Sequence, residues 1–476
     1  MVFSSLTFIY AFLPLMMAIY YAVPKKAKNL VLLAEGLIFY AWGEPLYIVV
    51  VVLSTVMDYF YGILMDKHRE NRRTMKGLIL LSVVTNVGIL AVFKYSSFLI
   101  ESLNAIFHIA IPDPHIPLPM GISFHTFQSM SYTIDMYFGT IAVQRNLVDF
   151  CTFVTLYPQM IAGPIVRYKD VENEIDPRKR TVDLNALSEG VARFMKGLAK
   201  KVLLADNVGA VWSTIQNTSV SRLSVLGAWF GILCFTFQIF FDFSGYSDMA
   251  IGLGRMLGFK IPENFNYPYL AASVSEFWRR WHITLGMWFR SYVYIPLGGN
   301  RCGKLKQIRN LLIVWALTGL WHGASWNFVL WGTYYGVFII LEKFLLRPLL
   351  EKLPHAVQVL YTFLLVVFGW VFFVFDDAHG GIFAAFRYFG AMFGANGTGL
   401  IDGRTVYWMY TSAVVFALCA LFCTRLPAKA LEKLRAGAHG ERFVRLAMPA
   451  AEALGLVVCT AYLVSSTFHP FLYFRF

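Results

Sequence analysis

Charged side chains are scarce in this sequence: 14% of its 476 residues, against 58% that are hydrophobic. Soluble domains carry about a quarter charged residues, and a single water-soluble core does not keep growing to this length. The composition excludes an ordinary soluble globular protein. Paired cysteine motifs are missing too. Cys151, Cys234, Cys302, Cys419, Cys423 and Cys459 form no C-x-x-C pair and mostly sit in apolar runs, where a thiol behaves as a small hydrophobe. No disulfide framework and no metal site is predicted. No G-x-S-x-G elbow occurs to present a serine nucleophile. Gly252, Gly254 and Gly258 follow no strand-like run, so they predict close helix packing rather than a dinucleotide loop. The formal net charge of +13 is divided among short basic clusters instead of forming one basic face, which argues against a nucleic-acid partner.

What the chain does have is apolar runs. A spanning helix needs about 20 mostly apolar residues, and in lipid its backbone groups must be satisfied internally. The expected fold is all-α, a polytopic membrane protein with lipid as the solvent of its outer face. Roughly eleven transmembrane helices are predicted, with short re-entrant and interfacial helices around a central tunnel, in a single domain over residues 1–476. Residues 1–23 read as a retained first span, because the basic cluster follows the apolar run instead of preceding it. Clusters at 25–28, 67–76, 301–309, 343–352 and 425–445 mark cytoplasmic loops, which makes 376–404 an external loop. The middle is broken. Residues 112–119 hold four prolines, 150–164 is apolar but too short to span, and 187–204 is amphipathic, as an interfacial helix would be.

One polar island lies inside an apolar stretch: Leu320-Trp321-His322-Gly323-Ala324-Ser325-Trp326. An ionisable group at membrane depth marks a functional site by default, and imidazole is the side chain best placed to move protons near neutral pH. Gly323 and Ala324 leave room for close approach, and Trp321 and Trp326 predict cavity walls. The simpler alternative is a packed histidine bonded to a carbonyl or to Ser325. A second histidine, His282, occurs in a matching Trp-His setting. Here Ser273 or Ser275 predicts a helix cap, Glu276 and Arg280 an ion pair four residues apart, and Trp278, His282, Leu285 and Phe289 one helical stripe. Arg279 and Arg280 flank that stripe as donor-orienting or purely structural cations. Asp242 and Asp248 lie in an apolar run and predict ion pairs with internal arginines, Asp248 with Arg255. Gln159, within Tyr157-Pro158-Gln159-Met160-Ile161-Ala162-Gly163-Pro164-Ile165-Val166-Arg167, lines a substrate path or a buried turn. His125 is expected to be structural.

Trp278 to His282, Leu320 to Trp326, Pro158 to Arg167, Phe243 to Asp248 and the ending Pro470 to Phe476 together resemble the membrane-bound O-acyltransferases, most nearly the bacterial alginate O-acetyltransferase I-type branch. The similarity runs over nearly the whole chain. It implies that His322 is the catalytic histidine and His282 the second polar position, with Trp278, Arg279, Arg280, Trp321, Ser325, Trp326, Asp248 and Gln159 as substrate-binding candidates. It implies no permanently bound cofactor. The donor would be acetyl-CoA or another cytosolic acetyl thioester, the acceptor would lie on the outer side, and the setting would be multi-pass in the bacterial cytoplasmic (inner) membrane. The implied partners are an exported or periplasmic SGNH-type acetyltransferase and polysaccharide-synthesis machinery, for exopolysaccharide O-acetylation. A sister branch that moves D-alanine to teichoic acid, a lipid or sugar transporter without acyl transfer, and a scaffold for a polysaccharide synthase are the alternatives.

Overall fold

The computed structural model describes residues 1–376, 379–437, 439–465 and 471–472. It is helical throughout, with no strand among the described residues and one isolated bridge between Phe265 and Trp281. Among the described residues, seven helices are long and apolar enough to cross a membrane: Ile48–Lys67, Arg72–Phe107, Val225–Met256, Trp326–Leu350, His355–Val374, Gly403–Phe422 and Gly440–Ser465. Phe8–Ala22 is a shorter apolar helix. Helices Lys28–Ala41 and Ile122–Phe138 are also short, and Lys304–His322 begins with a basic turn. Large apolar side chains stay exposed along Gly403–Phe422 and Gly440–Ser465, as lipid-facing helices require. The chain is a multi-pass membrane protein.

The described residues fall into two compact units. The first comprises Met1–Phe194 and Tyr246–Glu263. Its interior is polar. Helix Ile122–Phe138 is buried almost all round although it carries Ser123, His125, Gln128, Ser129 and Thr133. Its partners explain this. Asp58, fully buried on Ile48–Lys67, accepts from Ser82 (2.9 Å), from Asn86 (3.0 Å to each oxygen) and from Ser129 (2.5 Å). A buried carboxylate so surrounded ties three helices together. His125 Nε2 lies 3.2 Å from Ser54 Oγ, a structural placement like the one its sequence setting suggests. The charged segment 167–183, which contains helix Tyr168–Ile175, is docked through Arg180, whose guanidinium donates to Glu174 O (2.8 Å), to Tyr20 Oη (3.1 Å) and to Asn29 Oδ1.

Three sequence expectations change here. Asp248 pairs with Arg193 at 2.6 Å, while Arg255 pairs with Glu189 at 2.9 Å. Seven residues place two side chains two helical turns apart, too far to bond, whereas helix Leu184–Ala199 brings nearer partners. That helix is not merely interfacial: an added Cβ at Gly252 would lie 2.6 Å from Gly190 O, so the glycines serve close packing. The stretch 376–404 is not loop throughout, since it contains helix Gly381–Met392.

The second unit comprises Met195–Gly245 and the described residues of Asn264–Leu472. Its centre is a hairpin of Lys304–His322 and Trp326–Leu341. The two backbones nearly touch: an added Cβ at Gly319 would lie 2.3 Å from Phe328 O, and one at Gly332 2.3 Å from Trp315 O. Only glycine fits either position, and the three-residue link Gly323–Ser325 leaves His322 no freedom to swing out. Lys201, at the π-helical turn Lys200–Ala205, bridges Asp242 (2.6 Å) and Asp206 (2.7 Å). The buried partner of Asp242 is thus a lysine, not an arginine.

The Asp58 network predicts a definite cost. Asp58→Ala leaves the donors of Ser82, Asn86 and Ser129 facing a void, and should destabilise the protein by about 3 kcal/mol. An unchanged thermal midpoint of the detergent-solubilised variant would refute the clamp.

Candidate active site

Helix Val274–Arg280 starts where the sequence predicts. Ser273 Oγ accepts from Glu276 N at 3.1 Å, and Glu276 pairs with Arg280 at 2.5 Å. The expected continuous helix through residue 290 does not form. It breaks at His282, which takes the left-handed conformation (φ 46°), and restarts as Ile283–Phe289. Such a backbone is costly for a non-glycine residue and persists only where its surroundings hold it. Asn264 does the holding. Its Oδ1 accepts from Thr284 N (3.3 Å) and Thr284 Oγ1 (3.0 Å) and lies 3.2 Å from His282 Nδ1, while Ile283 N donates to Asn264 O at 3.0 Å. Glu342 secures the preceding helix by accepting from Val274 N (2.8 Å) and Ser275 N (3.1 Å).

The Asn264 contacts assign a tautomer. An oxygen that already accepts a backbone N–H must also accept from the ring, so the hydrogen of His282 sits on Nδ1. In the neutral ring Nε2 then carries a lone pair, and His282 acts as an acceptor, not as a donor to a carbonyl.

His322 ends helix Lys304–His322 and is buried. Its ring meets Trp331 edge-on at 4.8 Å and Phe373 at 5.6 Å. The ring of Trp321 neighbours both histidines, with centroids 5.0 Å from His322 and 5.9 Å from His282. The fold therefore brings the two Trp-His settings, 40 residues apart in sequence, together around one indole. Ser325 does not engage His322, because its hydroxyl bonds to Asn327.

A cavity of about 990 Å³ lies within this unit. It is lined by the buried Trp281, His282 and Trp315 with the half-buried Trp278, and its outer rim carries Arg279, Arg290, the half-buried Lys343 and the Arg347–Glu351 ion pair (2.7 Å). The rim is organised, with Asn300 Oδ1 accepting from Lys343 Nζ (2.6 Å) and Tyr294 Oη (2.8 Å). His322 is not among the lining residues. The cavity reaches Thr318, one helical turn earlier, and closes on the stacked edges of Trp278, Trp315, Trp331 and Tyr335. Trp278, Arg279 and His282 thus share the cavity, while Arg280 faces Glu276 and Tyr267 O. Trp326, expected as a cavity wall, is 57% exposed and does not line this cavity. Gln159 and Asp248 belong to the first unit and do not line this cavity. Gln159 Nε2 donates to Phe153 O at 2.8 Å.

These features carry the assignment. The sequence profile of the membrane-bound O-acyltransferase family matches residues 138–375, a range that contains both histidines and the whole cavity. The chain belongs to the membrane-bound O-acyltransferase family. It is 38% identical to a probable alginate O-acetylase of Pseudomonas putida, over the full length of both chains. It is 34% identical to a peptidoglycan O-acetyltransferase of Helicobacter pylori over 84% of this chain and 81% of that one. It is 28% identical to a teichoic acid D-alanyltransferase of Streptococcus thermophilus over 48% and 57% respectively. The protein is a membrane O-acyltransferase.

Several members of the site gave no local signal. Asn264, Trp331, Phe373 and Glu342 reach it from distant segments, and only Glu342, a lone acid after an apolar run, was conspicuous in sequence. Of the family-like ending, Phe471 and Leu472 are described. Phe471 packs on Phe243 (5.7 Å), whose ring meets His282 edge-on at 4.8 Å, and Leu472 N donates to Asp242 at 2.8 Å. Pro470 and residues 473–476 lie outside the described residues.

Asn264→Leu keeps the volume but removes the acceptor that fixes the His282 ring. Lost orientation of a histidine by its hydrogen-bond partner should lower kcat by about 10- to 100-fold by analogy with ligand-orienting partners, with little change in the KM of the donor. A kcat equal to that of the native protein would remove Asn264 from the site.

Proposed function

We propose that the protein transfers an acetyl group from a cytosolic thioester to an acceptor hydroxyl on the outer side of a bacterial inner membrane, for O-acetylation of an exopolysaccharide. The observation that carries this reading is a cavity with a cationic rim and a histidine at its buried end, one indole away from a second histidine. Acetyl-CoA and phosphopantetheine-bearing carriers are anionic and end in a thin thioester arm. A cationic rim attracts the charged end, and a narrowing apolar cavity accepts the arm. Two of the rim residues, Lys343 and Arg347, come from the segment 343–352, whose basic cluster favours the cytoplasmic side.

In this reading His322 is the general base on the acceptor hydroxyl. Trp321 fixes its distance from His282, whose Nε2 lone pair accepts a hydrogen bond from the acceptor or from the departing thiol. Arg279 orients the donor at the rim, and Arg280 is structural through Glu276. Both compact units act as one domain, since helix Val225–Met256 supplies residues to each. The outer-side acceptor is an exported SGNH-type acetyltransferase or the polymer it serves. Acetyl transfer is favoured over D-alanyl transfer because the relatives named for O-acetylation match over far more of the chain than the one named for D-alanylation.

Removing a positioned general base costs about 10²- to 10⁴-fold in rate. His322→Ala, reconstituted in proteoliposomes with acetyl-CoA or an acetylated carrier thioester, should lose thiol release to that extent while keeping its thermal midpoint. Undiminished release would end the mechanism. Transport of a labelled sugar lipid without thioester cleavage would favour a transporter instead.

A further inference from the structure

We infer that the indole N–H groups of Trp278 and Trp331 hold the thioester carbonyl oxygen during transfer, an assignment that rests on the acyl-transfer reading above. Nε1 of each is buried and has no hydrogen-bond partner among the described residues. Native interiors leave few buried donors without an acceptor, because a donor removed from water and given nothing in return is destabilising. A phenyl ring would pack edge-on at either position without bringing a polar hydrogen, so the indoles are not explained by packing.

The two indoles are neighbours. Their rings lie 5.5 Å apart, nearly perpendicular. Trp278 lines the inner end of the cavity, and Trp331 meets His322 at 4.8 Å. The pair stands between the place where a thioester arm ends and the group that would activate the acceptor. Two of the other polar groups nearby are committed elsewhere. The Nδ1 hydrogen of His282 faces Asn264, and Arg280 pairs with Glu276. An acyl transfer needs preorganised donors where negative charge develops, and these two indoles are placed to supply them.

The step balances without a further reactant. The acceptor oxygen bonds to the carbonyl carbon as its proton passes to His322, and the C=O π pair moves onto oxygen, where the two N–H groups bind it. Re-forming the double bond breaks the C–S bond. Sulfur leaves with the electron pair and takes the proton back from His322, giving a thiol and an acetyl ester.

The test replaces each tryptophan, singly and together, with benzothienylalanine, which keeps the bicyclic ring and puts sulfur in place of N–H. Thiol release from acetyl-CoA and from an acetylated carrier is measured in proteoliposomes alongside Tm. Losing one oxyanion donor typically costs about 10²- to 10³-fold in kcat. The expected result is a loss of that order for each single variant, a larger loss for the pair, and an unchanged donor KM and Tm. A kcat within about threefold of the native value, far below the cost of a lost donor, overturns the assignment. So does a kcat that falls only in step with Tm, which would make the N–H groups structural. If the native protein releases no thiol from either donor, the acyl-transfer reading fails and takes this inference with it.

Discussion

The site depends on how closely two helices approach. Lys304–His322 and Trp326–Leu341 touch backbone to backbone at Gly319 and Gly332, and the link between them is three residues long. This contact fixes where His322 sits, which rings surround it and how far it lies from His282. In lipid, helix association gains nothing from excluding water between apolar faces, so packing of small residues must supply it. A larger residue at Gly319 or Gly332 would part the hairpin and displace the imidazole by the width of a side chain.

The second constraint is backbone strain at His282. A histidine in the left-handed region is held there by one carboxamide oxygen that takes three hydrogens. The same bond selects the ring's tautomer, so conformation and chemistry are set together. On either side of the break, Trp278 and His282 line one cavity. The polar interior of the first unit follows a different logic. Asp58 and its neighbours replace apolar packing by a fully connected network, a workable core only when every donor and acceptor is matched.

Much of this was legible in the sequence, where the signal is local. A histidine flanked by tryptophan and glycine inside an apolar run identifies His322 without a structure, and the i,i+4 spacing gives the Glu276–Arg280 pair. What was not legible depends on contacts distant in sequence. The partner of Asp248 is Arg193 rather than Arg255, because tertiary packing outranks spacing along one helix. The kink at His282 comes from Asn264, in a segment without helical periodicity. Trp326, a cavity wall by its place in the island, is largely exposed and does not line the cavity. Nor could the sequence reveal that the cavity stops at Trp278 and Trp315, one ring short of His322.

That last feature makes the central claim directly measurable. The claim is that the donor arm runs from the cationic rim to the aromatic end and presents its carbonyl to His322. A structure with acetonyl-CoA, in which a methyl ketone stands in for the thioester, decides it. The account predicts the phosphates at Arg290, Lys343 and Arg347, the ketone oxygen about 3 Å from Trp278 Nε1, and the closing indoles displaced enough to bring the ketone carbon beside the His322 ring. An analogue bound outside this cavity, or one whose ketone stays at the rim with the aromatic end still closed, would contradict it.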